Sequence, residues 1–225
     1  LMDRKHRHVV MGLKNALASY YVLFFRIVNA RHWVPQQRKR VYMVGIRKDC
    51  VKHDFQWPVV PDMCTEGTMA LLDDFLDPLD ETDRPGRLPT NARAKERAIR
   101  ALKAAHLATY NPLIAAITID IDSGRKSDSW SVSEVKTITR TRGGQGGPWI
   151  SNRGRRTRTH ELMKCQGFYP QDVKWKEAKI SKTTIGHMIG DAVPVDVVGN
   201  ILANAMYAGG LVGEPICFPR NNNAA

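Results

Sequence analysis

The sequence lacks several features that mark whole classes of protein. It contains no Cys-x-x-Cys pair, and its cysteines do not have metal-ligand spacing, so each is interpreted as a reduced thiol: Cys50, Cys64, Cys165 and Cys217. No apolar run reaches the ~18 residues of a membrane-spanning helix, and no signal peptide opens the chain. These absences predict a soluble intracellular protein with no membrane partner and no bound metal.

Acidic residues are scarce outside one segment, although the chain as a whole carries a net charge of +12. Residues 1–50 hold 11 basic and 2 acidic side chains, residues 51–90 hold 3 and 9, and residues 91–160 hold 14 and 5. Residues 161–225 are balanced, with 6 of each sign. Two basic segments that flank an acidic one predict a polyanion-binding surface assembled from separate parts of the chain.

The chain has a prominent strand–loop–strand pattern near its beginning. Tyr20–Val28 and Val41–Ile46 are rich in β-branched and aromatic residues, which predicts a buried strand and a second strand paired antiparallel to it. The loop between them carries Gln36, Arg38 and Arg40. Two guanidinium groups on a rigid loop indicate a site for an anionic or carbonyl-bearing ligand. The alternative is that both arginines are solvated loop charges.

Hydrophobic periodicity and capping residues predict the other elements. Helices are expected over residues 8–19, over Thr68–Leu76, and from a cap at Asn91 up to Ala108. A linker is expected over Asp77–Pro89. Strands are expected over Leu113–Ile121 and Val132–Thr139. Near the end, Thr159 is expected to cap a helix that Gly167 ends. Pro194 suits the first turn of a last helix, which Gly209-Gly210 stops.

Glycine and arginine are concentrated between residues 139 and 158. The run Gly143-Gly144-Gln145-Gly146-Gly147 is not a dinucleotide-binding fingerprint, because no helix is predicted there and Pro148 would block one. Glycine instead permits close approach of the backbone to a bulky polyanion. Trp149 lies among six arginines, and together they form the best nucleic-acid-binding candidate: Arg140, Arg142, Arg153, Arg155, Arg156 and Arg158. The alternative is a flexible basic loop without a ligand.

Three stretches, in order, resemble sequence motifs of the DNA (cytosine-5) methyltransferases. Asn29-Ala30, followed by Val34-Pro35-Gln36-x-Arg38-x-Arg40-Val41-Tyr42, resembles the eighth motif. Glu161-x-x-x-x-Gln166-Gly167-Phe168 resembles the ninth, and Gly190-Asp191-Ala192-Val193-Pro194 resembles the tenth. The resemblance covers roughly residues 9–47 and 156–206.

The resemblance implies an α/β fold. It implies an antiparallel strand pair at the end of a Rossmann-like, S-adenosylmethionine-dependent methyltransferase sheet, plus a small mixed target recognition domain. Residues 1–50 would hold the C-terminal strands of the catalytic domain and 51–155 the target recognition region. Residues 156–209 would close the catalytic domain with its final helix, and 210–225 would form a tail.

The resemblance also implies a reaction, in which methyl passes from S-adenosylmethionine to C5 of a cytosine flipped out of double-stranded DNA. A cysteine thiolate attacks C6, and Arg40 corresponds to the arginine that faces O2 and would stabilise the developing negative charge. Arg38 would contact the target base or adjoining phosphates, and Gln36 would help shape the loop. One wall of the cofactor pocket would be formed by Gly190, Asp191, Ala192 and Val193.

The chain departs from the family pattern in identifiable ways. No cysteine follows a proline, although the family's nucleophile lies in a Pro-Cys dipeptide, and the Glu-Asn-Val motif and first glycine-rich cofactor loop are absent. Those motifs lie upstream of the eighth, and the chain begins at Leu1. A C-terminal fragment without its nucleophile, separated from its N-terminal catalytic portion, is therefore expected. Asp191 replaces the family's asparagine, and it is expected to cap the helix that begins near Pro194.

Three other interpretations remain open at the level of sequence. The chain could be a catalytically inactive DNA-binding relative, the tRNA-methylating relative, or a generic basic nucleic-acid-binding module. In each case the expected location is the nucleus of a eukaryote, or the cytoplasm and nucleoid of a bacterium.

Overall fold

The computed structural model describes residues 7–58, 70–123 and 130–214. The expectations for Cys64, Thr68, Cys217 and the tail beyond residue 214 lie outside these ranges. The α-helices are α1 (Arg7–Leu17), α2 (Ala92–Leu107), α3 (Arg140–Gly144), α4 (Thr159–Lys164), α5 (Lys182–Asp191) and α6 (Val195–Ala208). The strands are β1 (Tyr21–Asn29), β2 (Gln36–Gln37), β3 (Lys39–Arg47), β4 (Ile117–Ile119), β5 (Trp130–Val132), β6 (Val135–Lys136), β7 (Trp149–Ile150) and β8 (Arg155–Arg156).

The predicted antiparallel strand pair is confirmed. β1 pairs with β3 from Tyr21 opposite Arg47 to Asn29 opposite Lys39. The expectation that β1 is buried is wrong, since Val28 alone among its residues is buried within the described structure. Between these strands, β2 pairs in parallel with β6, which connects the loop of the arginines to a distant part of the chain.

The last helix packs against this strand pair. Val197 and Ile201 of α6 share one hydrophobic core with Val28 and Val44 of the strands. Pro194 precedes the helix as its cap residue, and α6 ends before Gly209 and Gly210, as predicted. Gly210 has a φ of +70°, a left-handed conformation that favours glycine. This core holds the beginning and the end of the described chain together.

The middle of the chain forms a second core on a small sheet with the strand order β5-β4-β7-β8. Asn91 caps α2 as predicted, accepting a hydrogen bond from the Ala94 backbone N–H at 3.2 Å. The alanines of α2 pack against the isoleucines of β4 and against Ile121, two residues after the strand. The predicted strand Val132–Thr139 is instead divided between β5 and β6, because Ser133 adopts a φ of +52° that interrupts an extended chain.

A third core lies around α4 and α5 and includes Ile138, Ile150, Leu162, Ile185 and Ile189. Helix α5 was not predicted, although its signals are present in the sequence. Ser181 accepts a hydrogen bond from the Thr184 backbone N–H at 3.1 Å, and Ile185 and Ile189 lie one turn apart. For α4, the expected cap is wrong by one residue, because Arg158 occupies the cap position and Thr159 is already helical.

The glycine-rich segment contains the helix α3, contrary to the sequence prediction. Gly143 approaches another helix closely, whereas the sequence predicted close approach to a polyanion. A Cβ atom on Gly143 would lie 2.0 Å from the Gly186 carbonyl oxygen, and one on Gly190 would lie 2.3 Å from that of Thr139. These glycines therefore let the backbones of α3 and α5 touch. In the described ranges, no helix is long and apolar enough to span a bilayer.

Candidate functional site

Gln36 anchors the loop of the eighth motif in the interior. Its side chain is fully buried. The Oε1 atom accepts a hydrogen bond from the Ile138 backbone N–H at 3.0 Å, and Nε2 donates to the Cys165 carbonyl at 3.1 Å. One amide side chain thus joins three segments that are distant in sequence.

Arg38 lies beneath the surface and is 5% exposed. Its Nη1 donates to the Ile138 carbonyl at 2.8 Å, and its Nη2 donates to the Ala192 carbonyl at 2.9 Å and to the Gly190 carbonyl at 3.5 Å. Burial, followed by the neighbouring charge of Arg40, lowers the pKa of Arg38 below its ordinary value. Its two terminal nitrogens thus donate to backbone carbonyls, whereas the sequence predicted a contact of Arg38 with the target base or adjoining phosphates.

Arg40 is exposed on β3. Within the described residues, its side chain donates one hydrogen bond, from Nη1 to the carbonyl of its neighbour Lys39 at 2.8 Å. Arg38 lies just before β3 and is tethered in the interior, whereas the guanidinium of Arg40 is exposed to solvent.

The segment from Gly190 to Val193 lies where α5 ends. Gly190 and Asp191 are the last residues of the helix, and Val193 is 44% exposed. The Asp191 carboxylate forms an ion pair with Arg140 at 2.5 Å. The expectation that Asp191 caps α6 is therefore wrong, because its position in the last turn of α5 directs the carboxylate to the start of α3.

Two of the predicted nucleic-acid-binding arginines lie in the interior. Arg153 is 7% exposed and donates to the Asp77 carbonyl at 3.3 Å. Arg155 makes two 2.9 Å hydrogen bonds to the fully buried carboxylate of Glu161 and a 2.5 Å contact to Asp83. These guanidinium groups hold a backbone carbonyl and two carboxylates within the protein, a role that charge counting along the sequence cannot distinguish from binding to nucleic acid.

The other arginines near the ninth motif are also paired. Arg158 contacts Asp77 at 2.9 Å and Asp80 at 2.5 Å, and Arg156 makes a bidentate pair with Asp122 at 2.6 and 2.8 Å. Hydrogen bonds from Thr82 and Arg158 hold the pKa of Asp80 well below its usual range. Residues 73–83, most of which the sequence predicted to be linker, therefore supply much of the charge that balances the arginines.

Arg140 and Arg142 remain at the surface beside the eighth motif. The Arg140 side chain is 65% exposed. Arg142 is half-buried, with its Nε 3.1 Å from Asp120 and its Nη1 3.1 Å from the Gln145 side-chain oxygen. The nearby glycines have structural contacts: a Cβ on Gly144 would meet His187, one on Gly147 would meet Thr157, and Gly146 has a φ of +88°.

In the described part of the chain, no group of three or more histidine, cysteine or acidic side chains could hold a metal ion. Asp120 and Asp122, which follow β4, are directed instead at Arg142 and Arg156.

Comparisons with known proteins match most of the chain. The family model for the C-5 cytosine-specific DNA methylases matches residues 1–206. The crystal structure of the S. pombe Dnmt2 methyltransferase is similar in fold, with a TM-score of 0.55 and 15% identity, over 92% of this chain and 64% of that one. The methyltransferase EhMeth of Entamoeba histolytica has a TM-score of 0.50 and 15% identity, over 90% of this chain and 59% of that one. The chain thus spans less than two thirds of each structure's length, and no curated protein matches it.

Proposed function

This chain belongs to the C-5 cytosine-specific DNA methylase family, and from that premise we propose that it is the C-terminal part of a DNA (cytosine-5) methyltransferase. Such an enzyme transfers a methyl group from S-adenosylmethionine to C5 of a cytosine flipped out of the duplex. The observation that carries this proposal is the tether from Arg38 to the carbonyls of Gly190 and Ala192. It couples the strand that bears Arg40 to the segment proposed to contact the cofactor.

The proposal divides the chain between two tasks. Residues 1–50 and 156–209 contribute the end of a Rossmann-like catalytic sheet and its closing helix. Residues 51–155 contribute target recognition. The shared core of β1, β3 and α6 supports joining the first and last of these segments into one catalytic portion.

Arg40 is proposed to act on the target base. Attack on C6 drives negative charge toward the ring carbonyl, so a fixed guanidinium near O2 binds the transition state more strongly than the ground state. Because Arg38 and Gln36 hold the preceding residues in the interior, the backbone that carries Arg40 is positioned before the base arrives. The exposed side chain of Arg40 is then free to meet the flipped base.

The segment of residues 190–193 fits one wall of a cofactor pocket. The carbonyls of Gly190 and Ala192 are engaged by Arg38, and the Asp191 carboxylate is paired with Arg140 but half-exposed. The open side of that carboxylate and the apolar side chain of Val193 are therefore proposed to face the ligand. S-adenosylmethionine supplies the methyl group from a sulfonium cation and also carries an adenine ring. A carboxylate and an apolar surface suit those two groups.

The nucleophilic thiolate is proposed to come from a portion of the protein that precedes this chain. No cysteine in residues 1–225 follows a proline. Cys165 is fully buried, and burial raises the pKa of its thiol far above the ordinary value. A thiol kept protonated in the interior cannot attack a base.

The test is incorporation of labelled methyl groups from S-adenosylmethionine. Residues 1–225 alone are expected to show none. Fusion behind an N-terminal catalytic portion of the family that carries Pro-Cys is expected to methylate duplex DNA, and the same fusion with that cysteine changed to serine serves as the matched control. Transfer by residues 1–225 alone, or a fusion that methylates tRNA and not duplex DNA, would overturn the proposal.

A further inference from the structure

The connection from α2 to β4 presents large apolar side chains to solvent. Leu107, the last residue of α2, is 85% exposed, Leu113 is 56% exposed and Ile114 is 76% exposed. All three lie within residues 107–114, which we call the apolar loop. A single apolar residue at the surface is ordinary, but several together on one short segment mark an interaction surface.

Hydrogen bonds hold the apolar loop in this conformation. The Asn111 side-chain oxygen accepts from the Leu113 backbone N–H at 3.0 Å, and the Asn111 carbonyl accepts from the Ala115 N–H at 2.8 Å. The buried side chain of Asn152, which follows β7, donates from Nδ2 to the Ile114 carbonyl at 2.9 Å. Because the backbone is fixed from both sides, the exposure of these side chains belongs to the fold and does not result from a loose chain.

Unpaired cations border the apolar loop. Lys103 is exposed and lies one helical turn before Leu107, on the same side of α2. Arg87 is also exposed, and it follows Gly86, on which an added Cβ would lie 2.8 Å from Leu113 Cδ2. Within the described ranges, neither the Lys103 ammonium nor the Arg87 guanidinium has a carboxylate partner. Both charges therefore remain available to a ligand of opposite sign.

The carboxylates near the apolar loop lie at its Ile114 end. Asp73 accepts from Asn152 Nδ2 at 3.3 Å, and the same nitrogen donates to the Ile114 carbonyl. Arg153 lies 3.9 Å from the Asp73 carboxylate and balances part of its charge, whereas the neighbouring Asp74 is exposed. The border of the apolar loop is thus acidic at one end and cationic elsewhere.

This combination of groups distinguishes among possible occupants. The phosphates of a nucleic acid would meet the cations, but would leave the aliphatic side chains without a contact. An anionic bilayer would be repelled by Asp73 and Asp74. A second copy would bring like charges together, because α2 holds five lysine or arginine residues and one glutamate. A protein surface that carries both apolar and acidic side chains fits the apolar loop and its border.

We propose that a partner protein docks on the apolar loop through aliphatic or aromatic side chains, and that its carboxylates pair with Lys103 and Arg87. Removal of the apolar side chains from water supplies most of the affinity, and the charged border fixes the orientation of the partner. This inference goes beyond the proposed function, because none of these residues takes part in the proposed contacts to the base, the cofactor or DNA.

The experiment is a selection from a display library of random peptides, using residues 1–225 as the target. Enriched peptides are expected to combine leucine, isoleucine or aromatic residues with aspartate or glutamate. For such a peptide, Leu107→Ser combined with Ile114→Ser should lower the affinity by about tenfold or more. Leu211→Ser, which changes another highly exposed leucine beyond the end of α6, is the matched control and should leave it unchanged.

A second measurement tests the charged border. Arg87→Glu combined with Lys103→Glu should weaken the same peptide by about tenfold. A peptide whose acidic residues are changed to lysine should lose binding to the parent and regain it with the charge-reversed variant, an exchange that a merely misfolded variant would not show. Because all the substituted side chains are exposed, the midpoints of thermal unfolding should match that of the parent.

Several results would overturn this inference. They are a selection that enriches no peptide, and enriched peptides whose affinity survives Leu107→Ser with Ile114→Ser. Binding to phosphatidylserine vesicles, or to duplex DNA, that this double variant abolishes would assign the apolar loop to a membrane or to nucleic acid. Dimerisation of residues 1–225 that the same variant abolishes, measured by sedimentation, would assign it to a second copy. Methyl transfer by the fusion is measured separately, so its failure would overturn the proposed function alone.

Discussion

Gln36, Arg38 and Arg40 alternate along the chain, and the three side chains end in different environments. Gln36 and Arg38 are buried and bound to backbone groups, whereas Arg40 is exposed. The register of β2 against β6 places Gln36 inside, and the start of β3 directs Arg40 to the surface. At the scale of the residue, catalytic importance is therefore expected to be greatest at Arg40, and structural importance at Arg38.

Changing Arg40 should affect turnover more than binding. In the active fusion, Arg40→Ala is expected to lower kcat by about 10²–10³, or about 3–4 kcal/mol, because its contact strengthens as charge develops. Arg40→Lys should restore part of the loss, since an ammonium supplies charge without the planar fork. Steady-state kinetics and DNA affinity measured on the same preparations test this. A kcat within twofold of the parent would remove Arg40 from the mechanism.

Asp196 is a buried carboxyl whose Oδ2 has no hydrogen-bond partner in the described residues. Burial raises its pKa to about 6. Because the folded-state pKa lies above the unfolded value, stability is greatest below the unfolded pKa, falls as pH rises toward 6, and has lost the full contribution above 6. The favourable interaction of a carboxylate with the first turn of α6 offsets part of this loss.

Asp196→Asn is therefore expected to raise the free energy of unfolding by about 1–3 kcal/mol at pH 8. The gain should nearly vanish at pH 4, where the parent carboxyl is protonated in the folded protein. Urea unfolding at the two pH values measures it, with Asp172→Asn, an exposed aspartate, as the control expected to change little. An equal effect at both pH values would contradict an origin in ionisation.

At the scale of elements, the crossing of α3 and α5 depends on glycine. A Cβ on Gly143 would lie 2.0 Å from the Gly186 carbonyl oxygen, and one on Gly186 would lie 2.2 Å from that of Gly143. Neither obstacle is a flexible side chain, so the two helices would have to separate. Their separation would disturb Arg140 and Asp191, which join the same two helices by an ion pair.

Gly143→Ala is expected to lower the free energy of unfolding by about 3 kcal/mol or more. Gly12→Ala is the matched control, since Gly12 lies within α1 with nothing within 4 Å of an added Cβ. That change should be neutral or stabilising by about 0.5–1 kcal/mol, because alanine favours a helix more than glycine does. Similar midpoints of thermal unfolding for the two variants would show that the close contact of α3 and α5 does not contribute to the free energy of unfolding.

At the scale of the whole molecule, positive and negative segments meet inside the protein. Asp77, Asp80 and Asp83 pair with Arg155 and Arg158. The net charge of +12 therefore overstates the number of arginines available to a polyanion. Arg140 remains available, because its ion pair with Asp191 is exposed and solvent screening makes such pairs weak.

The salt dependence of DNA binding should reflect this distribution. Arg140→Ala is expected to flatten the slope of log affinity against log salt by about 0.9, the value for one phosphate contact. For Arg155→Ala, the slope of log affinity against log salt measured on the folded protein should be unchanged. The free energy of unfolding should fall by about 3–5 kcal/mol, because Glu161 remains buried without its partner. Titrations at several salt concentrations, paired with unfolding curves, measure both. A slope altered by Arg155→Ala and not by Arg140→Ala would reverse this assignment.

Local chemistry in the sequence was sufficient to predict the antiparallel pair of β1 and β3, the cap of α2 at Asn91, and the end of α6 at Gly209-Gly210. Each depends on residues that are close along the chain: β-branched runs, a side-chain cap, and glycine that adopts the left-handed conformation. The family could also be inferred from sequence, because three motifs occur in the required order.

Tertiary structure alone decided which arginines face solvent and what the glycines contact. Arg153 and Arg155 belong to the same basic run as Arg140, yet Arg153 donates to the backbone carbonyl of Asp77 and Arg155 pairs with the carboxylate of Asp83, both more than seventy residues away in sequence. Gly143 permits contact with α5 about forty residues further on. Residue type and spacing along the chain determine local conformation, but a charge or a close contact acquires its partner only when distant segments pack together.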